Sequence, residues 1–167
     1  MQKLIFVFLI LTCTLKLQAQ NSEITTYYFI RHAEKVRTDK TDSDPNLTEK
    51  GISRAQNWST VFGNIDFDII YSTNYKRTIQ TAEPTASSKR LNIQFYNPKD
   101  LFSKAFQLQT KGKTVLVVGH SNSTPTFVNK VLGSEKYAQI SDTNNSNLYI
   151  VTLTDNVIND ILLKIEH

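Results

Sequence analysis

Thr114-Val115-Leu116-Val117-Val118-Gly119-His120-Ser121-Asn122 is the stretch that decides how this chain folds. Its first five residues are β-branched or apolar without the alternation of a half-exposed strand. They read as a parallel strand covered on both faces. The run stops at a glycine and a histidine. A second segment has the same form, with Thr26-Tyr27-Tyr28-Phe29-Ile30 running directly into Arg31-His32-Ala33-Glu34. Open α/β sheets put their ligand sites beyond the carboxyl ends of their strands. Two such strands therefore place two imidazoles, His32 and His120, at one sheet edge, with Arg31 as a fixed cation beside the first. That combination suits a dianion such as a phosphoryl group.

Outward from these two strands, apolar runs and turn residues alternate. Phe67–Tyr71 reads as another strand and Leu91–Phe95 as a short one. A closing hairpin, Asn147–Thr152 and Val157–Ile165, turns at Asp155-Asn156. The first helix opens at Leu47-Thr48-Glu49-Lys50-Gly51 with Thr48 as N-cap. Ile52, Ala55, Ser59 and Phe62 then share a helical spacing that faces the sheet. Further helices are expected over Lys76–Ala82, with Pro84 bending or restarting the helix, over Asp100–Leu108 with Pro98 in the first turn, and over Pro125–Leu132, ended near Gly133. The polar stretch from Lys35 to Asn46 is a loop of a length that suggests function. Strands alternating with helices predict an α/β fold, a three-layer sandwich with a mostly parallel central sheet flanked by helices and an antiparallel hairpin at one edge.

The 167 residues, 40% hydrophobic and 20% charged, suit one folded domain. Residues 1–20 read as a secretory signal peptide. Lys3 is a short positive region, Leu4–Leu11 is wholly apolar, and Leu17-Gln18-Ala19 offers a small residue for cleavage. The apolar run is shorter than the roughly 20 residues that span a bilayer, so no membrane span is expected. The domain then covers 21–167, in the bacterial periplasm or at the cell surface. Ile10-Leu11-Thr12-Cys13 resembles a lipobox, but Thr12 is a poor residue before the cysteine. Cys13 is the single cysteine, so the domain has neither a disulfide nor a thiolate nucleophile. The formal charge is +4, and loss of Lys3 and Lys16 takes it down by two, to +2. So mild a charge gives no reason to expect nucleic acid as a partner.

Arg77 falls in the first turn of the helix that follows the second strand. A cation there opposes the helix dipole, which makes sense if an anion sits between them. Taken singly, Arg77 also reads as an exposed helix residue and His120 as a core histidine. Small Gly119 and Ser121 argue for crowding or close ligand approach.

Jointly the motifs resemble the histidine phosphatase superfamily, also called phosphoglycerate mutase-like, and its small bacterial members with a minimal cap. Arg31-His32-Ala33-Glu34 is similar to the RHG/RHA signature. Leu47-Thr48-x-x-Gly51-x-x-x-Ala55-Gln56 is similar to the LTxxGxxQA helix, with one extra residue before the alanine. Tyr71-Ser72 and Lys76-Arg77-Thr78-x-x-Thr81-Ala82 resemble the strand-end serine and the RTxxTA helix. Val117-Val118-Gly119-His120-Ser121 resembles the second histidine motif.

The resemblance implies that His32 attacks phosphorus and carries the phosphoryl group, while Arg31, Arg77 and His120 bind its equatorial oxygens. Ser121 and Asn122 add candidate hydrogen bonds to phosphate. No metal or cofactor is implied, and the partner is a small phosphorylated substrate. Larger members carry a carboxylate in a cap insertion, or directly after the second histidine, that protonates the leaving group. Here Ser121-Asn122 follow His120 and the segment from Arg77 to His120 is too short for a large cap. Candidates for the acid are Glu34 and Asp100, although either also reads as a structural carboxylate. The expected activity is metal-independent hydrolysis of phosphomonoesters or phosphoramidates. The alternatives are a non-catalytic phospholigand-binding protein on the same fold, or a phosphohistidine protein phosphatase if the chain is not exported.

Overall fold

The computed structural model describes residues 23–155 and 157–166. The expected signal peptide, Cys13 and Asn156 of the expected hairpin turn lie outside the described residues. The strands are β1 (Thr25–Arg31), β2 (Ile69–Ser72), β3 (Ile93–Phe95), β4 (Thr114–Gly119), β5 (Asn147–Leu153) and β6 (Ile158–Lys164). The helices are α1 (Glu49–Val61), α2 (Lys76–Lys89), α3 (Lys104–Thr110) and α4 (Ser123–Leu132). One sheet holds all six strands in the order β3-β2-β4-β1-β5-β6. Its first four strands in that order are mutually parallel, and β5 and β6 run antiparallel at the far edge.

The middles of the two central strands, Tyr27–Ile30 and Val115–Val118, are apolar because both of their faces are covered. Tyr27, Phe29, Val115 and Val117 pack on one side with Phe106 of α3 and Phe127 of α4. Ile30, Leu116 and Val118 pack on the other with Trp58 of α1 and Ala82 of α2. Each large apolar side chain so buried stabilises the fold by roughly 1.5–3 kcal/mol before entropy is counted. The register fixes the site: Arg31 lies opposite Gly119, and His32 N–H donates to the Gly119 carbonyl at 2.9 Å. Both strands thus end at the same level, and the residues that follow, His32 and His120, emerge side by side.

Several local expectations need correction. In α1 the buried residues are Gly51, Arg54, Ala55 and Trp58, whereas Ile52 is 53% exposed. The buried face is set by an ion pair of Arg54 rather than by apolar spacing alone. α2 runs unbroken through Pro84, whose carbonyl accepts from the Ser59 hydroxyl of α1 at 3.1 Å. α3 starts at Lys104, beyond Pro98 and Asp100. Phe102 takes a left-handed φ of 55°, which interrupts any helix, and the Ser103 side chain then caps the new one through Phe106 N–H. Gly133 ends α4 at φ 68°, as its residue type suggests.

Candidate active site

His32 is almost fully buried at the end of β1, and its ring is locked by the neighbouring backbone. Nδ1 lies 2.7 Å from the Ala33 carbonyl. A carbonyl only accepts, so Nδ1 carries the proton and Nε2 is left with its lone pair. The peptide is pinned on both sides: Ala33 N–H donates to Thr81 Oγ1 at 2.9 Å, and the Asn145 amide donates to the His32 carbonyl at 2.8 Å. Burial, reinforced by the charges of Arg31, His120 and Arg77, pushes the imidazole down to about 3 despite the Ala33 hydrogen bond. His32 is therefore neutral at ordinary pH, the form in which a histidine is nucleophilic.

His120 faces it, with ring centroids 5.6 Å apart at 67°. Its Nε2 lies 2.9 Å from Thr73 Oγ1, which in turn lies 3.0 Å from Thr78 Oγ1. The Thr78 hydroxyl donates to backbone carbonyls, those of Thr73 and Tyr75 both lying at 2.9 Å. Its single proton is used there, so Thr73 donates to Thr78 and accepts from His120 Nε2–H. Burial first, then Arg77, Arg31 and Lys35, lowers His120 to about 4. An arriving dianion would offset that repulsion and favour the protonated ring.

Arg31 is 2% exposed. Its Nη1 donates to the carbonyls of Ser141 (2.8 Å) and Asn144 (3.0 Å), and Nη2 donates to Asp142 Oδ1 at 3.0 Å. Of five guanidinium N–H donors, three are thus engaged. Nε is buried without a partner, as is Nε of Arg77. Arg77 lies over the Tyr75 ring at 4.4 Å and reaches Asp44 Oδ1 at 3.4 Å. Asp44 also accepts from Lys76 N–H at 2.9 Å, so it ties the loop before α1 to the start of α2.

Arg31, His32, Arg77, His120, Ser121 and Asn122 all line one cleft of about 590 Å³. Asn122 caps α4 by accepting from Ser123 N–H at 2.8 Å, and the Ser121 hydroxyl donates to Asp142 at 3.1 Å. Gly119 is small because protein crowds it: a Cβ there would lie 2.7 Å from Thr124 Oγ1 and 2.8 Å from the Tyr96 hydroxyl.

The two acid candidates do not join this group. Glu34 accepts from Arg54 Nε at 3.0 and 2.9 Å and from Nη2 at 2.9 Å, with Lys50 at 3.8 Å. Burial alone would raise its carboxyl, but these cations outweigh burial and hold it below its ordinary value. Asp100 is exposed in the turn before α3 and is not among the residues that line the cleft, although the adjacent Pro98 and Lys99 are. The carboxylate that lines the cleft is Asp142, from the loop before β5. Sequence reasoning missed it, together with Thr73 and Asn145. Thr73 had a signal, being the next polar residue after the strand-end Ser72; Asp142 and Asn145 had none. Among the described residues no three His, Asp or Glu side chains come together as a metal-binding group, and no helix is long and apolar enough to cross a membrane.

A mostly parallel sheet covered by helices, whose central strands deliver two facing imidazoles beside two arginines, is a phosphoglycerate mutase-like fold. Residues 27–97 match the family model described as histidine phosphatase superfamily (branch 1). Solved structures agree on the fold. Alpha-ribazole phosphatase from Shigella flexneri superposes with a TM-score of 0.63 at 13% identity, covering 85% of this chain and 98% of its own. Phosphoglycerate mutase from Bacillus anthracis gives 0.62 at 17%, covering 85% and 93%. Phosphoserine phosphatase from Entamoeba histolytica, solved with 3-phosphoglyceric acid, gives 0.58 at 20%, covering 86% and 97%. No curated protein matches the chain in sequence.

Proposed function

We propose that the protein is a metal-independent phosphatase that hydrolyses small phosphomonoesters or phosphoramidates through a phosphohistidine on His32. The observation that carries this reading is the proton placement on His32: Nδ1–H is held by the Ala33 carbonyl, and the ring is buried and neutral. Pure anion binding has no use for a buried neutral imidazole with a free lone pair. In the first step Nε2 bonds to phosphorus as the bond to the leaving oxygen or nitrogen breaks. Water then attacks phosphorus, the P–N bond breaks with its electrons returning to His32, and inorganic phosphate leaves. Arg31, Arg77 and His120 stabilise the equatorial oxygens in both steps, where charge stabilisation supplies most of the rate.

The Ser121 hydroxyl, helped by Arg31 and Arg37, holds the Asp142 carboxyl below its ordinary value against the opposing effect of burial. A cleft whose lining carboxylate carries no proton favours leaving groups that need none from the protein, either a stable oxyanion or a phosphoramidate nitrogen basic enough to take its proton from water. Two of the structural neighbours are named as phosphatases, which supports the reaction class.

The test is hydrolysis of 4-nitrophenyl phosphate in excess EDTA, with His32→Ala alongside. EDTA-resistant turnover that the variant lacks supports the reading. Turnover equal in both proteins contradicts it, and absence of turnover with retained phosphate binding moves the protein to the non-catalytic alternative. We also propose that residues 1–20 direct export to the periplasm or cell surface. N-terminal sequencing of the protein recovered from fractionated cells tests this, and an intact Met1 in the cytoplasm would contradict it.

A further inference from the structure

We propose that two copies of this chain pair through β6, antiparallel and about a two-fold axis at Leu162, so that their sheets join edge to edge.

β6 is the outermost strand of the sheet, with β5 on one side and, among the described residues, no strand on the other. Residues along an antiparallel pair alternate between those that bond the neighbouring strand and those that point away from it. The bonds at the two ends of the β5–β6 pair fix which is which. Ile165 N–H donates to the Ser146 carbonyl at 2.8 Å, and Thr154 N–H donates to the Val157 carbonyl at 2.9 Å. The register between them is unbroken, so the odd-numbered residues of β6 face β5. The backbone N–H and C=O groups of Ile158, Asp160, Leu162 and Lys164 therefore point to the free edge, a template for another strand.

The side chains suit the same use. Val157, Ile158, Ile161, Leu162 and Leu163 are all large, apolar and 38% to 56% exposed. Ile161 and Leu163 stand beside Ile150 and Leu148 at the margin of one core layer, and Ile158 and Leu162 beside Leu153 and Tyr149 at the margin of the other. Both core layers thus run out into solvent at β6, where the same residues of a second copy would continue them. Edges that stay single are short or guarded by charge. The opposite edge, β3, has only three residues. In the middle of β6 the one charge, Asp160, is drawn back onto Lys136 at 2.8 Å with 13% of its side chain exposed, so it guards nothing.

Charge selects both the occupant and the register. Centred on Leu162, the pairing sets Lys164 opposite Asp160 of the partner subunit on each side of the axis, and Ile161 opposite Leu163. Among the described residues of its own copy Lys164 has no carboxylate at ion-pair distance. A centre at Ile161 would instead face Asp160 with Leu162, and a centre at Leu163 would face Asp160 with Glu166, a like charge. The contact uses one patch twice, so it closes at two copies. No residue of β6 lines the cleft, so both clefts stay open and the pairing is independent of the reaction assigned to them.

The experiment uses the protein with its natural N-terminus, in sedimentation velocity over a wide range of concentration. The expected result is a species of twice the chain mass that dissociates on dilution. Leu162→Pro removes an N–H that points to the free edge and leaves the bonds to β5 in place. It should sediment as a monomer at every concentration, with an unchanged far-ultraviolet circular dichroism spectrum. Cysteine trapping reads the register without weakening the strand. In a Cys13→Ser background, Leu162→Cys lies opposite its own twin, at a Cα separation of about 5.5 Å that a disulfide spans. Asn159→Cys lies about 20 Å from its twin in the same register. Mild oxidation should therefore give a covalent dimer with Leu162→Cys and none with Asn159→Cys.

A protein that stays monomeric overturns the proposal, including one that floats instead with phosphatidylglycerol vesicles, which would assign the apolar edge to a lipid surface. A dimer that forms equally well with a correctly folded Leu162→Pro overturns it, because another face would then hold the copies together. Equal cross-linking of the two cysteine variants overturns it as well.

Discussion

The imidazoles of His32 and His120 face each other 5.6 Å apart, one ring fixed by the Ala33 carbonyl and the other by the Thr73 hydroxyl. Among the described residues neither ring is paired with a carboxylate; His32 is buried and His120 half-buried, both beside cations. The site thus keeps two neutral histidines where solvent would leave them half-charged near pH 6.5.

This has a consequence for pH. His32 sits at about 3 and His120 at about 4, against 6.5 for an unperturbed ring. Below about pH 6.5 the unfolded chain takes up protons that the folded chain refuses, so stability falls as pH drops through 6.5 towards 4 and 3. Above 6.5 neither group contributes. Melting temperature between pH 7 and 5 should fall less steeply in the His32→Asn/His120→Asn double variant than in the unaltered protein. Equal slopes, or ring titrations near 6.5 by NMR, would contradict the depressed values.

Thr73 is predicted to position His120. Thr73→Val removes the hydroxyl and leaves His120 Nε2–H without its acceptor, a loss of about 1–3 kcal/mol for a buried group. Turnover of 4-nitrophenyl phosphate should drop about tenfold or more, mainly in kcat, which corresponds to about 1.4 kcal/mol. Thr73→Ser should restore most of it, because the hydroxyl returns. A Thr73→Ser variant as impaired as Thr73→Val would show that the methyl group and packing matter instead.

The leaving-group dependence discriminates among the carboxylates. Asp142→Asn should lower rates on 4-nitrophenyl phosphate and on an alkyl phosphate by similar factors, since the native carboxylate carries no proton to give. A loss confined to the alkyl ester would make Asp142 the proton donor. Glu34→Gln should lower stability by about 2 kcal/mol through the nearly buried Arg54 it leaves under-compensated, with the ratio of the two rates unchanged.

Gly51→Ala tests the contact that seats the segment after β1. An added Cβ would lie 2.1 Å from the Glu34 carbonyl oxygen, which already accepts from Thr48 N–H at 2.8 Å. Backbone must move, at a cost of about 2 kcal/mol or more. The melting temperature should fall by about 5 °C or more. An unchanged melting temperature would show that α1 can shift without disturbing Glu34.

Much of this arrangement was legible in the sequence. Unbroken apolar runs ending in histidine gave β1 and β4 and placed His32 and His120 correctly, because strand ends in a parallel sheet share a level. The arginines were legible from their position beside a strand end and at a helix start. Ile52 was misplaced because hydrophobic spacing cannot see that α1 buries the charged Arg54 through its pair with Glu34. The start of α3 was misplaced because a left-handed Phe102 has no signature in residue type. Asp142 and Asn145 were invisible for a different reason: their roles come from contacts to Arg31 and His32 across 111 and 113 residues of chain.

The proposed phosphatase activity requires a covalent phosphoryl group on His32. The most direct measurement is intact and peptide mass spectrometry at neutral pH after millisecond mixing with 4-nitrophenyl phosphate. The expected result is one added phosphoryl group, mapped to His32, that decays as phosphate is released and never forms in His32→Ala. Turnover without any phosphorylated protein, or a phosphoryl group mapped to another residue, would contradict it.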